Sequence, residues 1–359
     1  MPARKPDGNL KRGWTTGACA TAATAAAYEA LVTGRFPDAV TITLPRGEEP
    51  TFDLVRRDMD KGSATAAVIK DAGDDPDVTH GAEVSVTLRI GVDGSGVTFR
   101  AGPGVGTVTL PGLPLPPGEP AINPGPRKMM TGVIQDLSCR LNGPGDVEIT
   151  VAIKDGEVLA EKTMNGRLGI LGGLSVLGTT GIVIPYSCAS WIHSIHRGVD
   201  VARAGGLTHI AAATGSTSEA AVKALYDLPD MALIDMGDFA GGLLKYLRRH
   251  PLQRLTLAGG FGKLAKLAQG HLDLHSARSS LDLKKLAALA GDDRELADRI
   301  AAANTGMEAL TLAQAAGVPL ADRVAAGARE VALAALAGDV AVEVLVYDRQ
   351  GQLAGRAGG

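Results

Sequence analysis

Between residues 207 and 268 short apolar runs alternate with longer segments of helical spacing, and this alternation restricts the fold more than any other feature of the chain. Leu207–Ala213, Met231–Asp235 and Leu255–Ala258 read as strands, while Ser218–Leu225, Phe239–Arg248 and Lys263–Ala268 read as helices. Parallel neighbours need a crossover long enough to hold a helix, so this order predicts a mainly parallel sheet with helices packed on it. Helical segments fill 282–336, and a last strand spans Val340–Tyr347. The residues after each strand are Thr214-Gly215-Ser216-Thr217, Gly237-Asp238 and Gly259-Gly260-Phe261-Gly262-Lys263. Carboxyl ends of parallel strands line the ligand crevice in such sheets, because helix N-termini and bare amides point there. Glycine lets a ligand approach the backbone, and hydroxyls add hydrogen bonds. The same glycines also serve tight strand-to-helix turns, and both readings stay open on pattern alone.

The first part of the chain has a different rhythm. Thr15 or Thr16 caps an alanine-rich helix, Ala18–Leu31, with Gly34 just past its end. Strand-like segments follow at Val40–Leu44, Thr51–Val55, Ala64–Ile69, Glu83–Ile90 and Val97–Arg100, several of them alternating polar and apolar. Residues 101–126 are punctuated by Gly and Pro and read as loop, Arg127–Leu141 as helix and Asp146–Ile153 as strand. Grouped strands predict an α+β domain over residues 1–165, followed by an α/β domain over 166–359.

Composition narrows the function. A net charge of −3 and 3% aromatic residues speak against nucleic acid as a partner. Three separated cysteines without a Cys-x-x-Cys pair fit a reducing compartment and no structural zinc, so the expected location is cytoplasmic and the expected protein metal site is none. The opening segment Met1–Asp7 has no apolar stretch resembling a secretory signal. Leu168–Ile192 carries no charge, but its glycines, Pro185 and hydroxyls suit a buried turn better than a membrane span.

Individual residues carry weaker signals. The Gly259–Lys263 loop lacks the spacer of a phosphate loop, and Leu264 stands where a magnesium-binding hydroxyl belongs, so an ATPase reading is weak. Lys263 can contact a carboxylate or be solvated. Asp235 ends an apolar strand, where it can accept from a ribose or cap the next helix. Thr15 and Thr16 offer an anion seat or a simple cap. His193 and His196 share a helix face without acids or thiols beside them, which favours ordinary histidines over a metal site. His80, after Asp77, and His271 and His275 are acid–base candidates, with no Gly-x-Ser-x-Gly to complete a nucleophile triad.

Leu10-Lys11-Arg12-Gly13-Trp14-Thr15-Thr16-Gly17-Ala18-Cys19-Ala20 resembles the N-terminal signature of the CbiD family. So does Gly166-Arg167-Leu168-Gly169-Ile170-Leu171-Gly172-Gly173 running on to Leu177-Gly178-Thr179-Thr180-Gly181-Ile182-Val183. Asp77-Val78-Thr79-His80-Gly81, Ile122-Asn123-Pro124 with Pro126-Arg127-Lys128-Met129, and Gly259–Leu264 with His275-Ser276 match in the same order. The resemblance implies methylation of cobalt-precorrin-5B at C1 by S-adenosylmethionine, giving cobalt-precorrin-6A, with cobalt present only as part of the substrate. The chain lacks the common methyltransferase loop from which a cofactor site could be carried over; with the turns after the second-domain strands expected to hold the donor, the expected cofactor-binding residues are Gly172, Gly173, Thr179, Thr180, Thr214, Gly215, Ser216, Asp235, Gly259 and Gly260. Arg12, Thr15, Thr16, Arg127, Lys128, Arg167 and Lys263 are expected to hold the carboxylate-edged corrinoid, and His80 or His275 is the better candidate if a general acid or base is used. A small-molecule corrinoid is the expected partner, without nucleic acid or membrane; a homo-oligomer and transient contact with neighbouring pathway enzymes are open. A non-catalytic tetrapyrrole carrier and a phosphate-using enzyme are the competing readings.

Overall fold

The computed structural model describes residues 8–359; the opening segment read above as no secretory signal lies outside them. Helix α1 (Thr16–Thr33) has no exposed face over most of its length: eight alanines, a glycine and a cysteine leave little side chain between its backbone and its neighbours. Thr21 and Thr24 are buried there because each hydroxyl donates back to a carbonyl four residues earlier, Gly17 at 2.8 Å and Ala20 at 2.7 Å. The neighbours are the strands β1 (Arg56–Asp60), β2 (Ser63–Ile69), β3 (Glu83–Ile90) and β4 (Val97–Ala101), the helix α2 (Pro124–Leu141) and the strand β5 (Val147–Ile153). The sheet order is β1-β2-β3-β5-β4, antiparallel except for β5 beside β4. Ala66, Val86 and Val151 lie in one row across it, all fully buried. Alternation along β3 and β5 turns Val84, Val86 and Leu88, and Ile149 and Val151, into one core with α1 and the Met130–Ile134–Leu137 stripe of α2. This is the expected α+β arrangement.

The chain divides into two compact units at Ser187/Cys188, some twenty residues beyond the expected boundary at 165. The reason is pairing. Ile170 faces Val108, Gly173 faces Gly104, and Trp14 faces Ile182, so 166–187 completes the first unit although its glycine-rich, uncharged composition differs from what precedes it. Among the described residues no helix is long and apolar enough to cross a membrane.

The second unit opens with α3 (Cys188–Ala204) and then alternates: β6 (His209–Ala213), α4 (Ser216–Tyr226), β7 (Leu233–Asp235), α5 (Ala240–Leu247), β8 (Arg254–Gly260), α6 (Phe261–Ala268). Helices α7 (Leu283–Ala287), α8 (Arg294–Ala301), α9 (Gly306–Ala315) and α10 (Leu320–Leu336) precede β9 (Ala341–Tyr347) and β10 (Leu353–Ala357). The sheet order is β7-β6-β8-β9-β10, parallel throughout except for the last strand. The chain leaves β6 toward one side and returns to the other, so the strand order reverses there, and the carboxyl ends of β6 and β8 stand where open parallel sheets carry their ligand crevice. One face carries a large core from α3, α5, α6 and the helices of 283–336; the other is covered chiefly by α4 through Val222.

The opposite edge of the same sheet holds a buried charge cluster. Glu343 accepts hydrogen bonds from Tyr226 (2.6 Å), Arg254 (3.0 Å), Thr256 (2.9 Å) and Arg356 (2.8 Å). Burial alone would raise its carboxyl; these donors outweigh that and hold it below the ordinary carboxylate value. His209 lies 2.8 Å from the Thr256 hydroxyl, and burial together with Arg254 pushes its imidazole below its ordinary value.

Candidate functional site

At the carboxyl edge of the second sheet six of the ten residues expected to hold the cofactor come together, while Gly172, Gly173, Thr179 and Thr180 belong to the first unit. Ala213 lies between Asp235 and Ala258, which puts Thr214, Gly215 and Ser216, the end of β7, and Gly259 and Gly260 around one crevice. The buried Thr214 donates its amide to Ala258 at 2.9 Å. Gly259 has to be glycine, because a Cβ there would stand 2.8 Å from the Thr214 hydroxyl. A Cβ on Gly215, Gly260 or Gly262 would meet nothing within 4 Å, so three stretches of backbone face open space. α4 and α6 begin at this edge, with Gly215 and Gly260 as their capping residues.

Lys263 spans the crevice. Its ammonium donates to the Thr214 carbonyl at 2.7 Å and stands 3.0 Å from Asp238 Oδ1. That oxygen is buried yet accepts no hydrogen bond of proper geometry among the described residues, so the pair is held by charge rather than alignment. Asp238 belongs to the strand-end pattern, but nothing in the sequence distinguishes it from a turn residue. Trp191, equally unremarkable in the sequence, donates its indole N–H to the Asp235 carbonyl at 3.1 Å and lies against Gly237.

The 272–278 segment is tied to the same edge: Leu274 donates to the Asp238 carbonyl at 2.8 Å, and Lys266 donates to the Leu274 carbonyl at 3.1 Å. His275 Nδ1 accepts the Ala277 amide at 3.2 Å, which places the neutral ring's proton on Nε2 and makes its outward edge a donor. Beside it Arg278 bonds Asp273 at 2.8 Å and the Cys188 thiol at 3.1 Å. Burial would raise the Asp273 carboxyl, but Arg278 and the His275 amide together keep it below its ordinary value.

The first unit gathers a different set. Thr15 caps α1 by accepting the Ala18 amide at 3.1 Å, and the Gly17 amide is taken by the Leu177 carbonyl at 2.8 Å. Amides expected to seat an anion are therefore occupied by the protein. Gly181 accepts the Thr15 amide at 2.9 Å, which brings Thr179 and Thr180 beside Thr15 and Thr16. Of the two glycines expected with the cofactor, Gly173 serves the framework, since a Cβ on it would stand 2.5 Å from the Gly104 backbone, whereas a Cβ on Gly172 would meet nothing within 4 Å. Arg127 is also engaged internally, donating to the Ile122 carbonyl at 2.8 Å and to Glu119 at 2.8 Å while lying over Phe99. Arg12 and Lys128 are exposed, and Arg167 is half-buried. The buried Lys70 holds Asp77 and Thr79, and on that turn His80 Nδ1 accepts the Ala72 amide at 3.1 Å. His80 thus has the same Nε2–H tautomer as His275.

His196 stacks on Tyr246 with ring centres 3.9 Å apart, 6.2 Å from the His193 ring, as packing rather than as a ligand set. Among the described residues no group of three or more His, Cys, Asp or Glu is arranged to hold a metal ion.

A mainly parallel sheet with a strand reversal, joined in one chain to an α+β unit, defines the class: a protein of two units, the first α+β and the second α/β. The chain belongs to the CbiD family, whose model, described as CbiD, matches residues 3–185, while the model described as CbiD, C-terminal domain, matches 273–358. A cobalt-precorrin-5B C(1)-methyltransferase of Brucella anthropi is 58% identical over 351 residues, covering 97% of this chain and 95% of the relative. One from a Bradyrhizobium species is 59% identical over 351 residues, covering 97% and 93%. The crystal structure of a cobalamin biosynthesis protein (cbiD) from Archaeoglobus fulgidus is similar with a TM-score of 0.40 at 24% identity, covering 87% of this chain and 86% of that one.

Proposed function

We propose that the chain is a methyltransferase that moves the methyl group of S-adenosylmethionine to C1 of cobalt-precorrin-5B, giving cobalt-precorrin-6A in corrin-ring biosynthesis. The observation that carries this is identity of 58% over 97% of the chain to a relative of that name. The second-unit crevice suits the donor: it offers open backbone at Gly215, Gly260 and Gly262 and a buried carboxylate oxygen on Asp238. In this reading Thr214, Gly215, Ser216, Gly259 and Gly260 line the donor site with Asp235 at its side. Arg12, Lys128 and Arg167 meet the carboxylates of the corrinoid, with the hydroxyls of Thr15, Thr16, Thr179 and Thr180 nearby on the same unit. Arg127 and Gly173 keep that unit's framework.

The donor supplies an electrophilic sulfonium methyl, and the electron-rich macrocycle supplies the nucleophilic carbon. The chain's own contribution is alignment and exclusion of water, which can lower a barrier by about 7–11 kcal/mol when the reacting atoms are held in line. His80 and His275, with Nδ1 already capped by an amide, act as outward hydrogen-bond donors to anionic groups instead of as bases. The enzyme works in the cytoplasm.

The test is anaerobic incubation of the pure protein with cobalt-precorrin-5B and methyl-labelled S-adenosylmethionine, read by mass and NMR. One labelled methyl at C1 is expected. Tight corrinoid binding without transfer would replace the reading by a carrier, and neither binding nor transfer would end it.

A further inference from the structure

We propose that Asp238 and Lys263 together recognise an α-amino-acid head group: Asp238 takes the ammonium, and Lys263 with the start of α6 takes the carboxylate. The proposal rests on the placement of the methyl donor in the second-unit crevice and names the part of the donor that is read there, its methionine end.

A cation and an anion stand side by side at the point of strand reversal, the ammonium of Lys263 3.0 Å from Asp238 Oδ1. A zwitterion carries the mirror image of that arrangement. Asp238 Oδ1 is buried without a hydrogen bond among the described residues, which leaves an acceptor waiting for a donor of better geometry than Lys263 provides. Lys263 has a second anchor in the Thr214 carbonyl at 2.7 Å, so it can turn toward an incoming carboxylate without losing its place. Gly260 and Gly262 flank the first turn of α6 with open space over their backbone, and a carboxylate is favoured at a helix start by its free amides. The Asp238 backbone is fixed from below by Leu274, whose amide it accepts at 2.8 Å, so the carboxylate is presented by a braced loop.

Two probes separate this inference from the reading beneath it. S-Adenosylhomocysteine carries the amino-acid head group; 5′-methylthioadenosine has the same nucleoside without it. Calorimetric titration of the wild-type protein should show S-adenosylhomocysteine binding at least about tenfold tighter than methylthioadenosine, since charge-assisted bonds are the strong ones. Asp238→Asn and Lys263→Met should each weaken S-adenosylhomocysteine by about tenfold or more and leave methylthioadenosine unchanged, so the second probe also reports that the variant is folded. Equal losses for both probes, no loss for either, or a wild-type protein that binds both equally would overturn the head-group assignment while leaving the donor site in place. A wild-type protein that binds neither probe would overturn the donor placement and the inference with it.

Discussion

Gly178 shows what a single residue decides in this chain. Its φ of +125° is closed to ordinary side chains, and a Cβ would stand 2.2 Å from the Thr15 hydroxyl that caps α1. Gly178→Ala should therefore cost about 2–4 kcal/mol in urea unfolding, from strain and overpacking together. Gly172, with φ of +81° but open space around it, should cost about 1 kcal/mol on the same change. A similar cost at both positions would refute the packing account. The contrast also explains why the glycine-rich stretch was only half legible: a glycine that makes room for a ligand and one that makes room for another backbone are identical in sequence. For His80 the prediction is spectroscopic. Long-range proton–nitrogen NMR of the neutral ring should show a protonated Nε2 and a bare Nδ1, because the Ala72 amide already occupies Nδ1. A proton on Nδ1 would return His80 to the role of a base.

Elements with a strong apolar rhythm could be read directly, and those without it could not. β3 coincides with its expected span, and the β-α alternation from β6 to α6 holds to within a few residues. Met231–Asp235 is the partial exception, since a short 3-10 turn over Asp230–Ala232 leaves only Leu233–Asp235 extended. β1 escaped because Arg56–Asp60 is exposed throughout and has no buried side to pattern. β10 escaped because Leu353–Ala357 pairs at the sheet edge through small residues and Arg356, whose partner Glu343 is distant in sequence. Asp238 stayed hidden for a similar reason: only the fold brings Lys263 to it. The edge cluster makes an element-scale prediction. Glu343→Gln should destabilise the protein by about 2–4 kcal/mol near neutral pH, because Arg254 and Arg356 lose the negative charge they share and a donor replaces one of its two acceptor oxygens. The Glu343 carboxyl is held low in the folded state, so its contribution is complete above the ordinary glutamate value of 4.5 and is lost as pH falls through the lower folded value. Melting curves of the two proteins should accordingly converge in acid; a constant gap would contradict the sign.

The molecule as a whole should lose stability in two acid stages. Burial lowers His196 and His209 below their ordinary 6.5, so an unfolded chain takes up those protons first and stability declines as pH falls from about 6.5 through the lower folded values. A second decline belongs to Asp77, Asp273 and Glu343, all held below their ordinary values of 3.8 to 4.5. Calorimetry between pH 8 and pH 3 reads both, and a melting temperature flat between pH 7 and pH 5 would remove the histidine stage. α1, finally, has a consequence beyond its own unit's stability. A helix hemmed in on nearly every side by sheet and helix, with alanine as its usual filling, offers evolution almost nothing to vary. Drift in a lineage carrying this architecture has to be absorbed by the loops around that rod, and an engineer wishing to alter the first unit should treat Thr16–Ala30 as fixed ground and work at its rim.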